Sequence, residues 1–190
     1  MCVTNICCDE QLFWVILWNP ATRETSLQSF PLQIRREYDD SIPYSYCGFG
    51  YDHVSDTYKV MKVVEDAVLV FNMGDFDERQ VGYFPPDLIC LENTVVGVHF
   101  NGTLNWLVTS KINEYKIGLD TDENNIEWDN SSCMILFFDL NKEEFVRLVL
   151  LAIPYKFCDP HLGVLGECLC VSVQDKQFNF MIWQMKEFGV

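Results

Sequence analysis

No Cys-x-x-Cys pair occurs among the nine cysteines of this 190-residue sequence, no apolar run approaches bilayer length, and helical periodicity is almost missing. Each absence excludes something. Without a Cys-x-x-Cys pair, the common zinc frameworks and thioredoxin-type redox motifs fall away. The longest late apolar stretch, Leu148 to Ile153, is far short of the ~20 residues that a membrane helix needs. Met1 leads into "CVTNICCDEQ", which has neither the basic start nor the apolar core of a secretory leader. Bases are scarce as well: 13 Lys and Arg face 28 Asp and Glu, a formal net charge of -15. Such a surface repels phosphate backbones, so neither nucleic acid nor membrane is expected as a partner.

Catalytic signatures are missing too. There are three histidines, His53, His99 and His161, and none lies in a nucleophile or metal motif. The sequence has no Gly-x-Ser-x-Gly elbow, no His-Glu-x-x-His helix and no phosphate-cradling glycine loop. His99, between Val98 and Phe100, reads as a strand position. Cys2, Cys7, Cys8 and Asp9, or Cys168 with Cys170, hold metal-ligating atoms, but "CLCVSV" reads more simply as a core strand. "DTDENNIEWDNSS" opens like a calcium loop with Asp120, Asp122 and Asn124. It then places Asn125 where glycine is needed and Ser131 where a bidentate glutamate is needed. No catalytic residue, metal or cofactor is expected.

What is present is apolar and aromatic. Half the chain (49%) is hydrophobic and 14% is aromatic, which specifies a packed core and, at this length, a single domain over 1–190. An odd number of cysteines set among apolar neighbours fits a reducing compartment, cytoplasmic or nuclear. The sequons at Asn101 and Asn130 are then chance matches.

Short runs rich in Val, Ile, Phe and Trp recur along the chain. One series ends in polar turns: "WVILWN" (14–19), "AVLVFNMGD" (67–75), "CMILFFDLN" (133–141) and "FNFMIWQMK" (178–186). A second, glycine-bearing series alternates with it: "CGFGYD" (47–52), "VVGVHFNGTLNWLV" (95–108) and "LGVLGECLCVSV" (162–173). Steps of 53, 67 and 45 residues separate Trp18, Phe71, Phe138 and Trp183, the longest one carrying an insertion over Lys116–Ser132. One propeller blade occupies about that length. The fold expected is all-β, a kelch-like β-propeller, incomplete, with about four blade-like units and little helix; a sandwich or a barrel is the alternative. Asn101-Gly102 is placed as a two-residue hairpin turn, and Asp52–Asp56 as a second turn. Leu12–Trp18, lacking alternation, reads as a strand covered on both faces, ended by Asn19-Pro20. Thr22, Arg23 and Glu24 are turn and re-entry residues.

In order, "ILWNPATRE", "YCGFGYDHVSDTYKVMKVV", "GVHFNGTLNWLV", "ILFFDLNKEEF", "LGVLGECLCV" and "IWQMKEFGV" resemble plant F-box-associated domains. These are the substrate-receptor regions of F-box, F-box/kelch-repeat and S-locus F-box proteins. The resemblance implies a protein-interaction module of an SCF-type ubiquitin ligase with no chemistry of its own. Its partners would be a protein substrate and, through an F-box in the full-length protein, a Skp-type adaptor. The F-box does not precede "LFWVILWNPATRE", and the last strand of the family pattern does not follow Val190, so a truncated copy is expected. An open propeller leaves strand edges unpaired, and self-association or marginal stability is expected with it.

Binding residues are sought in rim loops, where side chains are free of ladder duties. "REYDDSIPYSY" offers Tyr38, Tyr44 and Tyr46, and the acidic loop after Leu119 offers Asp122, Glu123 and Trp128. Two other functions stay open. A small propeller hydrolase or lyase would need polar residues on the inner strands, for which the candidates, Leu12–Trp18 and Met134–Phe138, are apolar. A carbohydrate-binding module is supported only by the abundant Trp and Tyr.

Overall fold

The computed structural model describes residues 2–6, 12–19, 21–25, 30–33, 46–64, 66–73, 78–91, 96–110, 133–149, 157–175, 177 and 179–185. Strands and turns make up the described residues, and no helix occurs among them, so the fold is all-β as expected. The insertion placed at Lys116–Ser132 lies outside them. The chain divides into two compact units, Met1–Ser45 and Tyr46–Val190.

The first unit is a sheet centred on β2 (Leu12–Asn19). It pairs antiparallel with β1 (Cys2–Ile6), with the short β3 (Glu24–Thr25) and with β4 (Phe30–Gln33). Strands β1 and β4 both pair the same part of β2, from Phe13 to Val15, and so occupy its opposite edges.

The second unit repeats one device. β5 (Cys47–Asp52), β6 (Thr57–Val64), β7 (Ala67–Asn72) and β8 (Glu78–Tyr83) form an antiparallel meander. Another follows in β10 (Val96–Phe100), β11 (Thr103–Ser110), β12 (Met134–Asp139) and β13 (Glu144–Val149), with the short β9 (Leu88–Cys90) pairing the far half of β11. A third sheet consists of β14 (Phe157–Leu165), β15 (Cys168–Asp175) and β16 (Phe180–Gln184). The recurrent apolar runs at Phe71, Phe138 and Trp183 thus fall on β7, β12 and β16, each the third strand of its meander. Two of the glycine-bearing runs, at Gly48 and Gly97, are first strands.

Those first strands join the two meanders: β5 and β10 run parallel and pair at Val96↔Cys47 and Gly97↔Gly48. This corrects the expectation for the inner strands. Met134–Phe138 is two strands away from the seam, and its side chains alternate between two cores. Met134, Leu136 and Phe138 join Met61, Val68, Val70, Leu104 and Trp106 in one cluster. Ile135 and Phe137 join Leu107, Leu169, Val171 and Val173 in the other. A strand buried on both faces needs no polar alternation, which is why the run reads as continuously apolar.

Close approach at the seam requires glycine. A Cβ on Gly48 would lie 2.7 Å from Leu104 Cδ1 and 3.2 Å from Trp106 Cζ2. One on Gly97 would fall on the Trp106 indole, 3.0 Å from Cη2 and nearer still to Cζ2. Trp106 is fully buried and cannot retreat without opening the first cluster. Gly97→Ala is therefore expected to destabilise the fold by about 1–3 kcal/mol through overpacking. Gly82→Ala is the control, because nothing lies within 4 Å of a Cβ added there. Urea midpoints of the two variants give the comparison.

A candidate interaction rim built on repeated turns

Three hairpins close with one backbone turn. Asn19 pairs with Glu24, Asp52 with Thr57 and Asp139 with Glu144, and four residues bridge each pair. The last bridging residue is left-handed every time: Arg23 at φ 58°, Asp56 at 51° and Glu143 at 59°. Asp52 and Asp139 show how the turn is set. Asp52 Oδ1 accepts from the Val54 amide at 3.0 Å, and Asp139 Oδ1 accepts from the Asn141 and Lys142 amides at 2.9 and 3.0 Å. A side chain that caps the amides following it nucleates the turn locally. The expected Asn101-Gly102 turn is also present, with φ of 47° and 74° closing β10 onto β11.

In the second unit these turns gather at one end of the two meanders. Thr103 pairs with Asp139, and the Leu140 amide donates to the Gly102 carbonyl at 3.0 Å. Beneath the rim lies a buried ammonium. Lys59, on β6, is 4% exposed and donates to Asp52 Oδ2 (2.9 Å), Glu143 Oε1 (2.9 Å) and the Leu140 carbonyl (2.6 Å). Three donors meet three acceptors, so the buried charge is both paired and saturated. Arg79 on β8 closes the group as a fork on Glu143. Because Leu140 and Glu143 belong to the second meander and Lys59, Asp52 and Arg79 to the first, the cluster fixes one against the other.

The chemistry available here is structural. Burial pushes the Asp52 carboxyl up, but the Ser55 hydroxyl, the Lys59 ammonium and the Val54 amide outweigh it and hold the pKa at about 2. Ser55 Oγ donates to that carboxylate at 2.6 Å, and so weak a base cannot take its proton. Tyr51 donates its hydroxyl to Asp56; that hydrogen bond, with some burial and nearby acids, raises the tyrosine's pKa and keeps it protonated. His99 Nε2 lies 3.3 Å from the Tyr51 amide. Burial lowers its pKa against a backbone hydrogen bond to Tyr51 that raises it. What the rim presents outward is Val54 (74% exposed), Tyr58 (50%), His53, Asn101 and Lys142.

Of the residues expected in partner-binding loops, Tyr46 is the one described, and it is not in such a loop. It is 7% exposed, its ring centroid lies 4.8 Å from that of Phe84, and its hydroxyl accepts from the Cys90 amide at 3.3 Å. It opens β5 and anchors β9, which removes it from any contact surface. Tyr38, Tyr44, Asp122, Glu123 and Trp128 lie outside the described residues, as do Cys7, Cys8, Asp9 and the loop resembling a calcium site. Among the described residues no group of three His, Cys, Asp or Glu side chains is arranged to hold a metal ion.

Residues 2–189 match the F-box associated beta propeller domain. The chain belongs to that family. An F-box/kelch-repeat protein of Arabidopsis thaliana is 30% identical to this F-box-associated domain over 186 residues, covering 91% of the chain and 44% of the relative. Another F-box protein of that plant is 26% identical over 164 residues, covering 80% and 37%. The domain spans less than half the length of either relative.

Sequence reasoning missed Lys59 and Asp52, because a lysine in "TYKVMKVV" reads as a solvent-facing position. The signal available was the acid four residues before a left-handed one, repeated in "DHVSD" and "DLNKE". Lys59→Ala leaves Asp52 buried without its cation, while Glu143 keeps Arg79, and should cost about 3–5 kcal/mol in urea unfolding. The Asp52 pKa is lower folded than unfolded. Its stabilisation is therefore complete above about pH 4 and is lost as pH falls toward about 2. Unfolding midpoints measured across that window should fall for the wild type and stay flatter for Asp52→Asn.

Proposed function

We propose that this domain is the substrate-recognition module of an SCF-type ubiquitin ligase receptor, holding a protein target while the ligase transfers ubiquitin. The family match over residues 2–189 carries the reading. The rim supports it: the turns at Asp52 and Asp139, pinned by capping carboxylates and the Lys59 cluster, present a mixed apolar and polar surface at little entropic cost. The domain performs no chemistry itself. Its adaptor contact would come from an F-box, and the Skp-type adaptor would not bind these 190 residues directly.

A reducing compartment, cytosol or nucleus, goes with this reading. Cys90 and Cys133 are buried thiols whose pKa burial raises, Cys133 to about 12, which disfavours the reactive thiolate.

Two experiments test the proposal. Purified Skp-type adaptor should bind this chain only when an F-box is fused to it, and the fusion should promote ubiquitination of a captured protein in a reconstituted ligase. Capture without adaptor-dependent ubiquitination would overturn the receptor role. Val54→Glu, at an exposed turn tip, should weaken target capture about tenfold or more with the melting temperature unchanged. Undiminished capture would remove the rim from the recognition surface.

A further inference from the structure

The parallel seam has two rungs, Val96↔Cys47 and Gly97↔Gly48, yet β5 runs on to Asp52. Successive residues of a strand point their backbone groups to opposite sides. The Tyr46 carbonyl accepts from the Val63 amide, toward β6, so Tyr51, an odd number of residues further on, turns its amide and carbonyl toward β10. There the half-buried His99 meets them. Its Nε2 accepts from the Tyr51 amide at 3.3 Å and lies 3.3 Å from the Tyr51 carbonyl oxygen. Gly50 makes the room. A Cβ there would lie 2.7 Å from Leu140 Cδ1 and 3.0 Å from His99 Cγ, and nearer still to His99 Cδ2. An imidazole thus stands where the ladder stops.

Unlike a peptide group, this rung titrates. Neutral His99 accepts at Nε2, so its proton is on Nδ1. A proton taken up at Nε2 turns the acceptor into a donor, which can face the Tyr51 carbonyl while the Tyr51 amide loses its partner. The surroundings oppose that charge. Burial lowers the His99 pKa below the ordinary 6.5, against the Tyr51 backbone bond, and His53 lowers it further. The His53 ring stands edge-on to Tyr51 with centroids 4.8 Å apart. The other charged groups on packed elements are committed elsewhere. Lys59, which pairs across from Gly50, joins Asp52, Glu143 and Arg79 in a cluster of two cations and two carboxylates. Asp56 holds the Tyr51 hydroxyl, and β10 and β11 carry no Asp, Glu, Lys or Arg.

We propose that His99 is a pH-operated rung that controls the order of the rim: neutral, it ties β10 to the Tyr51 backbone, and protonated, it frees the turn that follows. The inference deepens the receptor reading and rests on it for the use of the switch. Tyr51 leads directly into that turn, whose exposed tip is Val54, and its hydroxyl holds Asp56 at the turn's other side. Acid therefore acts at the base of the surface offered to a target. The folded imidazole titrates below the unfolded one, so the unfolded chain takes up more protons in between. Stability accordingly falls as pH drops below about 6.5 and levels once the folded ring is charged.

Nuclear magnetic resonance of the isotope-labelled chain tests the rung. At about pH 7.5 His99 should show the Nδ1–H tautomer and the Tyr51 amide should be protected from hydrogen exchange. Toward about pH 5 the Tyr51 amide shift should follow the His99 titration, and its protection should fall at least about tenfold. The Val54 amide and methyl shifts should follow the same curve. In His99→Gln, whose side-chain carbonyl accepts without titrating, these responses should vanish although His53 and His161 remain. An Nε2–H tautomer at neutral pH, a Tyr51 amide that ignores the His99 titration, or a Val54 that ignores both overturns the proposal. So does a His99→Gln chain that keeps the wild-type response. The tautomer and the titration are read on the wild type, so a variant that fails to fold does not shield the proposal. Loss of adaptor-dependent ubiquitination with these responses intact would overturn the receptor role alone.

Discussion

The contact of the Trp106 indole with the bare backbones of Gly97 and Gly48 is what the rest of the second unit depends on. Two antiparallel meanders can share a seam only if their first strands come within ladder distance while a large core side chain lies across them. Glycine satisfies both demands at once. The indole nitrogen has no hydrogen-bond partner among the described residues, so packing holds Trp106 in place, not polar attachment. Once the seam closes, the turns at Asp52, Asn101 and Asp139 are brought to one end, and the Lys59 cluster becomes reachable from both sides.

That cluster then does what packing alone does poorly. Apolar faces tolerate sliding, because the attraction between them has no preferred direction. A buried ammonium with three acceptors does not, since a shift of one residue would strand it among carbonyls it cannot reach. The Lys59 arrangement therefore fixes the register between meanders more than it adds net stability, as is expected of an ion pair withdrawn from water. The rim inherits this rigidity: Val54 and Lys142 stand on turns whose backbones are tied to Asp52 and Asp139.

Much of this is legible in the sequence. The alternation of apolar and glycine-bearing runs indicates the all-β class and the blade-like repeat, because strand composition and turn chemistry are local properties. Asn101-Gly102 is legible for the same reason. Position within a meander is not, so Met134–Phe138 reads as an inner strand although it is a third strand. A run buried on both faces looks alike wherever it lies in a sheet. Tyr46 reads as a loop contact because polar and turn-forming residues closely precede it, while the partners that bury it, Phe84 and Cys90, are distant in sequence. Lys59 escapes notice on the same ground: its acceptor Glu143 lies 84 residues away.

The repeated turn links the fold to recognition. In "NPATRE", "DHVSDT" and "DLNKEE" the first residue starts the turn, the fifth is left-handed and the sixth re-enters the ladder. The residues between differ in sequence from turn to turn: Pro, Ala and Thr in one, His, Val and Ser in the next, Leu, Asn and Lys in the third. Where Leu140 is fully buried, Val54 is 74% exposed on the same backbone path. One turn geometry thus supplies a core anchor at one place and an exposed apolar side chain at another. A surface made this way can change what it binds by substitution at the turn tips without disturbing the ladders, the seam or the buried charge. Arg23 and Glu24 belong to the frame of such a turn, which is why their proximity in the sequence signals architecture and not an anion site.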